Sequence, residues 1–314
     1  MTRSGIRHRA ALVALALALL AAACGGGDDT DALQGISVLA TTTMLGDIAS
    51  NVVGNSGTVT TLIPAGADPH EYQASARDAA AIQEADLVIV SGLGLEEGLG
   101  HVIDAARADG ANVLEIGPNV DPILFAQNDG NGENFTEDPH FWMDPLRDAE
   151  AARQIGAALT AVDPNGDWAA QAETYASELT SADAQITSIL SAVPTDRRKL
   201  VTNHDAFGYF AARYGFDIIG AVVPGGSTLA EPSSAELSAL VDKMRAEGVT
   251  AIFAETTEPT TLADALAAEA GKSVEVIELY AGSLGAPGSG ADTLIGMLTT
   301  NARRIADALV TAGS

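Results

Sequence analysis

The chain has 314 residues, enough for one large or two ordinary domains, and its 47% hydrophobic and 18% charged residues exclude an intrinsically disordered chain. A formal net charge of −26, with only three lysines, excludes a broad basic face and with it nucleic acid or an anionic membrane surface as a direct partner. The same balance attracts cations in a general way.

In chain order, Arg3, Arg7 and Arg9 come first, followed by an apolar run over residues 10–23 that is too short to span a bilayer comfortably and has the length of a secretory h-region. The run ends in LLAAAC and resembles a bacterial lipoprotein signal, in which Cys24 is lipidated and becomes the mature N-terminus, although Ala21 stands where Leu is more usual. Cys24 is the only cysteine, so no disulfide can form within the chain. Residues 25–35, GGGDDTDALQG, have the composition of a flexible charged tether.

Beyond the tether, short apolar runs alternate with helical patterns. ISVLATT, TVTTLIP, DLVIVSG and NVLEIG read as strands, each closed by a turn residue, with MLGDIASNVVG, RDAAAIQEA and GLGHVIDAARADG as helices between them. The rhythm returns after Lys199 in KLVTN, DIIGAVV, TAIFAE and SVEVIEL, with helical segments between and a final helix within ADTLIGMLTTNARRIADALVTAG. Such alternation predicts an α/β fold with two mainly parallel sheets flanked by helices. Between the two sets, apolar residues recur at Trp168, Ala172, Tyr175, Leu179, Ala182, Ile186, Ile189 and Val193. This spacing predicts one uninterrupted helix of roughly 39 Å, a stiff connection between lobes. The expected organisation is a signal peptide at 1–23, a tether at 24–35, lobes at 36–165 and 195–314, and a linker helix at 166–194.

Five histidines occur, and His8 falls in the signal segment. His70 and His140 share the context Asp-Pro-His, in GADPHEYQ and EDPHFWMDP, and His204 follows the strand KLVTN. All three are expected where strands pass into loops, which is where open α/β sheets bind ligands. Proline holds the preceding backbone extended and aims the imidazole that follows. Taken singly, each histidine fits a structural role; three in matching contexts point instead to a shared divalent ion, for which neutral imidazole is a common ligand. His101 lies in a helical segment and keeps the structural reading. Phe141 and Trp142 are read either as shields of that site or as ordinary core aromatics.

GADPHEYQ, DPHFWMDP, VTNHDAFGYFAARYGF, and EPSSAEL followed by IFAE, resemble the metal-specific substrate-binding proteins of bacterial ABC transporters, in particular the zinc-type, ZnuA-like members, over residues 36–312. The resemblance implies two α/β lobes bridged by one rigid helix, with the metal in the cleft between them. His70 and His140 would then be metal ligands from the first lobe and His204 the ligand from the second, a residue type associated with zinc rather than manganese at that position. Zn2+ would be the transported ligand, with Mn2+ or Fe2+ as the alternative. The implied partner is a membrane permease, and the implied state is a monomer held outside the cytoplasm by a lipid anchor.

Two departures from the family pattern stand out. The C-terminal loop LYAGSLG carries Gly282 where a ligating carboxylate is expected, which leaves Glu255, Glu278 or a water to complete the shell. The loop before the second motif, NDGNGENFTED, has no histidine; it is expected to be solvated or to collect cations loosely through Asp129, Glu133, Glu137 and Asp138. Two further readings of the same site are a zinc hydrolase, with Glu71 beside His70 as its base, and a surface adhesin or metal buffer. Against the first, the chain has neither His-Glu-x-x-His nor Gly-x-Ser-x-Gly.

Overall fold

The computed structural model describes residues 35–125, 136–271 and 273–311. Two four-stranded sheets form, each entirely parallel. The first contains β1 (Ile36–Ala40), β2 (Gly57–Thr61), β3 (Leu87–Val90) and β4 (Val113–Glu115) in the order β2-β1-β3-β4. The second repeats that order with β5 (Lys199–Thr202), β6 (Asp217–Ala221), β7 (Ala251–Glu255) and β8 (Glu275–Leu279), as β6-β5-β7-β8. In each sheet the chain leaves its first strand in one direction and later returns on the other side. This creates a switch point between β1 and β3, and another between β5 and β7.

Local chemistry sets the helices. α1 (Thr43–Val53) starts where Thr42 Oγ1 accepts the Leu45 N–H. α2 (Ala76–Glu84) opens with a capping box of Ser75 and Asp78, and is followed after β3 by α3 (Gly100–Ala108). α4 (Pro145–Val162) begins with proline at its first position behind an Asp144 cap. In the second half, α6 (Gly208–Tyr214) ends on left-handed Gly215, and α7 (Ser234–Glu247) runs from the Ser233–Glu236 capping box to left-handed Gly248. α8 (Thr261–Ala270) and α9 (Leu294–Thr311) complete the set.

The connection expected from the apolar stripe is α5 (Trp168–Leu190), without proline or glycine, about 35 Å long. Trp168, Ala172, Tyr175, Leu179, Ala182 and Ile186 are all buried. Asp183 is buried on the same stripe, which the apolar pattern did not anticipate; it accepts from Arg213 Nε (2.9 Å) and Tyr214 Oη (3.1 Å) of α6. Towards the first sheet, Tyr175 donates to Asp47 of α1 at 2.6 Å. One helix is thus pinned by a polar contact to each half.

The largest apolar cluster runs continuously through α1, α4, α5, α6 and α9 and the facing sides of both sheets. Smaller clusters lie under α2 and α3 on the first sheet and under α7 and α8 on the second. The described residues from Ile36 onward accordingly form one compact unit.

Candidate metal centre

Both sheets present the carboxyl ends of their strands to the same place. The loop after β2 carries His70, and His204 lies two residues beyond β5, as the sequence suggested. His140 differs: it follows no sheet strand, but a segment joined to the chain by an isolated antiparallel bridge between Leu124 and Glu137. Its position is set instead by the short 3-10 turn Phe141–Met143 and by α4 behind it.

The repeated tripeptide folds the same way twice. Asp68 Oδ1 accepts the His70 backbone N–H at 2.9 Å, and Asp138 Oδ1 accepts that of His140 at 2.9 Å. Each is an Asx turn in which the aspartate tethers the backbone two residues on. The imidazoles then converge, with Nε2 of His140 at 3.3 Å from Nε2 of His70 and at 3.1 Å from Nε2 of His204. Nitrogens bound to one tetrahedral zinc at 2.0–2.1 Å would lie roughly 3.3 Å apart. All three rings are almost fully buried, with 2%, 1% and 1% of His70, His140 and His204 exposed. The Trp142 ring closes one side, 5.3 Å from His140 between centroids, and its Nε1–H donates to Ala281 O at 2.9 Å.

Burial keeps nitrogen lone pairs available at two of the three rings. Burial, and next the positive charges His140 and His204 would carry, lower His70 to about 3. Burial, then the charge on His204, also holds His140 well below the ordinary imidazole range. Burial pulls His204 the same way, but the charge and hydrogen bond of Glu255 outweigh it and the net shift is upward. The outer nitrogens decide orientation. His140 Nδ1–H donates to Asp138 Oδ1 at 2.7 Å, and His204 Nδ1–H donates to Glu255 at short range. A carboxylate behind an imidazole fixes the tautomer and leaves Nε2 free to bind.

These contacts correct several expectations. Asp138 is not part of a solvated loop; it is buried behind His140, and burial pushes its carboxyl up to about 7. Glu255, the last residue of β7, stands behind His204, where adjacent β5 and β7 bring the two together, rather than inside the imidazole cluster. Glu278 is exposed on β8 and lies outside the cluster. Gly282 packs beside the loop that carries His70: a Cβ there would lie 3.2 Å from Pro69 Cδ and 3.3 Å from Thr257 Oγ1. His101 is on α3 and exposed. Cys24, Asp129 and Glu133 fall outside the described residues.

Sequence reasoning missed a second group beside the first. Carboxylate oxygens of Asp68, Glu71 and Glu258 lie within 4.8 Å of one another, and burial, together with a hydrogen bond that protonated Glu258 donates to Asp68, pushes Glu258 up to about 7. Asp68 also accepts from Thr228 Oγ1 at 2.5 Å, tying the loop after β6 to the loop after β2. Asp68 and Glu71 are close in sequence, but Glu258 and Thr228, which complete these contacts, are far away in the chain and no local pattern marks them.

Similarity to known proteins extends over most of the chain. The family model described as "Zinc-uptake complex component A periplasmic" matches residues 38–308. A manganese-binding lipoprotein, MntA of Halalkalibacterium halodurans, is 30% identical over 92% of this chain and 94% of its own length. The zinc-binding protein TroA of Treponema pallidum is 30% identical over 97% of this chain and 99% of its own. A solved structure of that periplasmic zinc-binding protein superposes with a TM-score of 0.78 at 29% identity, covering 88% of this chain and 99% of the other.

Proposed function

The chain belongs to the family of periplasmic component A of zinc-uptake complexes, whose members are solute-binding receptors of ABC transporters and not enzymes, and from that premise we propose that it captures Zn2+ outside the cytoplasm and delivers it to a membrane permease. The observation that carries this reading is the convergence of three buried Nε2 atoms at the spacing of ligands around one tetrahedral ion. His70, His140 and His204 would hold the metal, and water would take the open fourth position beside Gly282. A set of three nitrogen donors suits zinc, whereas carboxylate and water donors suit manganese. Along the divalent series, such a site also binds zinc more tightly than manganese.

Manganese is the second reading, supported by the manganese-binding relative at 30% identity. In either case the two lobes, at 36–165 and 195–314, would form the walls of the site with the linker at 166–194 behind them. Lipidation at Cys24 would hold a monomer at the membrane. Elemental analysis of purified residues 28–314, followed by competition between zinc and manganese, separates the two metals. One zinc per chain that excess manganese does not displace supports the proposal, and preferential manganese retention overturns the choice of metal.

A further inference from the structure

The three imidazoles are not equally supported on their outer side. His140 has Asp138 behind its Nδ1, and His204 has Glu255. His70 Nδ1 is buried with no hydrogen-bond partner, and Glu97 Oε1 stands 4.0 Å from it, beyond bonding reach. A neutral imidazole that binds a metal through Nε2 must carry its proton on Nδ1, and a buried N–H without an acceptor forfeits the hydrogen bond it would make in water.

The loop that carries Glu97 is fixed on both sides of that residue. Glu96 is buried, and its carboxylate accepts from Thr41 Oγ1 at 2.6 Å, Ser91 N at 2.7 Å and Gly92 N at 3.0 Å. Gly98 lies so close to the loop of His70 that a Cβ would sit 2.2 Å from Tyr72 O. Backbone position is therefore set, while the Glu97 side chain, 45% exposed, keeps its rotamer freedom. The gap from 4.0 Å to an ordinary hydrogen-bond length of about 3 Å is roughly 1 Å, a distance that rotation about side-chain bonds can span.

We propose that Glu97 is the positioning residue of His70: its carboxylate accepts the Nδ1–H when metal binds and completes a set of three outer carboxylates, one behind each imidazole. The inference rests on the metal-ligand reading of the three histidines.

The test is competitive zinc titration of the purified protein and its Glu97→Ala and Glu97→Gln variants, with 15N NMR of the histidine rings in the zinc-loaded state. Glu97→Ala is expected to weaken zinc binding by about 10–100-fold, the usual effect of losing an outer partner of a ligating histidine. Glu97→Gln keeps an acceptor oxygen and should recover part of that loss. In the wild-type protein, the His70 Nδ1–H resonance should be protected from exchange, and in Glu97→Ala it should lose that protection. Wild-type affinity in Glu97→Ala, or a loss of affinity with the Nδ1–H resonance unchanged, overturns the proposal. His140→Ala is measured alongside. If it too keeps wild-type affinity, the ligand reading itself fails; if it loses zinc while Glu97→Ala does not, only the role of Glu97 fails.

Discussion

The two Asp-Pro-His tripeptides make the same turn and give their imidazoles different surroundings. In both, the aspartate accepts the backbone N–H of its histidine at 2.9 Å. Asp138 then reaches the ring of His140 as well, whereas the second oxygen of Asp68 is taken by Thr228, a residue 160 positions away. One tripeptide is a self-contained ligand unit. The other exchanges its ring contact for a bond that ties the loop after β2 to the loop after β6. A short motif therefore fixes where an imidazole points, while partners distant in the chain decide how firmly it is held.

The comparison breaks most visibly if the pinned histidine is removed. His140→Ala is expected to weaken zinc binding by more than about 100-fold, beyond the range seen when outer partners are lost, with the circular dichroism spectrum unchanged. His140 is also the ring whose Nε2 approaches both of the others. An equal affinity in a chelator-competition assay would show that the rings do not act together.

The aspartates should differ next. Asp138→Ala is expected to cost about 10–100-fold in zinc affinity because it removes the acceptor behind a ligating ring. Asp68→Ala should cost less at equilibrium, since that residue holds backbone and Thr228 rather than an imidazole. Equal losses in the same titration would mean that the Asx turn, common to both, matters more than the ring contact.

Acid stability sharpens the contrast without metal. His70 has a folded value of about 3 against an ordinary 6.5, so between those pH values the folded chain binds fewer protons than the unfolded one and stability falls as pH drops. Asp138 has the opposite sign: raised to about 7 from 3.8, it adds stability as pH falls from about 7 towards 4. Thermal unfolding of the metal-free protein from pH 7 to 4 should therefore fall less steeply in His70→Gln than in wild type, and more steeply in Asp138→Asn. Parallel profiles in all three proteins would contradict this arrangement.

The smallest effect on the site should come from the bridge. Tyr175→Phe removes the 2.6 Å bond to Asp47 and is expected to lower stability by about 1–3 kcal/mol while leaving zinc affinity within error of wild type. Denaturant unfolding and titration of the same preparation check both parts.

Much of this was legible in the sequence because it is local. The alternation of apolar runs gave two parallel sheets, the spacing from Trp168 to Val193 gave α5, although the helix ends at Leu190 and leaves Val193 in the turn beyond it, and the contexts of His70, His140 and His204 brought together three residues that do converge. What escaped depends on pairing across the fold. Asp183 reads as an interruption of the stripe until Arg213 and Tyr214 are beside it, and Glu255 reads as a candidate ligand until β7 is placed next to β5. Asp138 lies at the end of a Gly-rich acidic stretch and so looks solvated, although the turn that aims His140 also buries it. Residue type and period are properties of a short window, whereas an outer-shell contact is set by the register between strands.

The central claim is that three imidazoles from two sheets bind one ion. Zinc K-edge X-ray absorption on the loaded protein tests it most directly. The expected spectrum has a first shell of light donors at about 2.0 Å, with multiple scattering from three imidazole rings at one zinc per chain. A shell built mainly from carboxylate oxygens, without that imidazole signature, would contradict it.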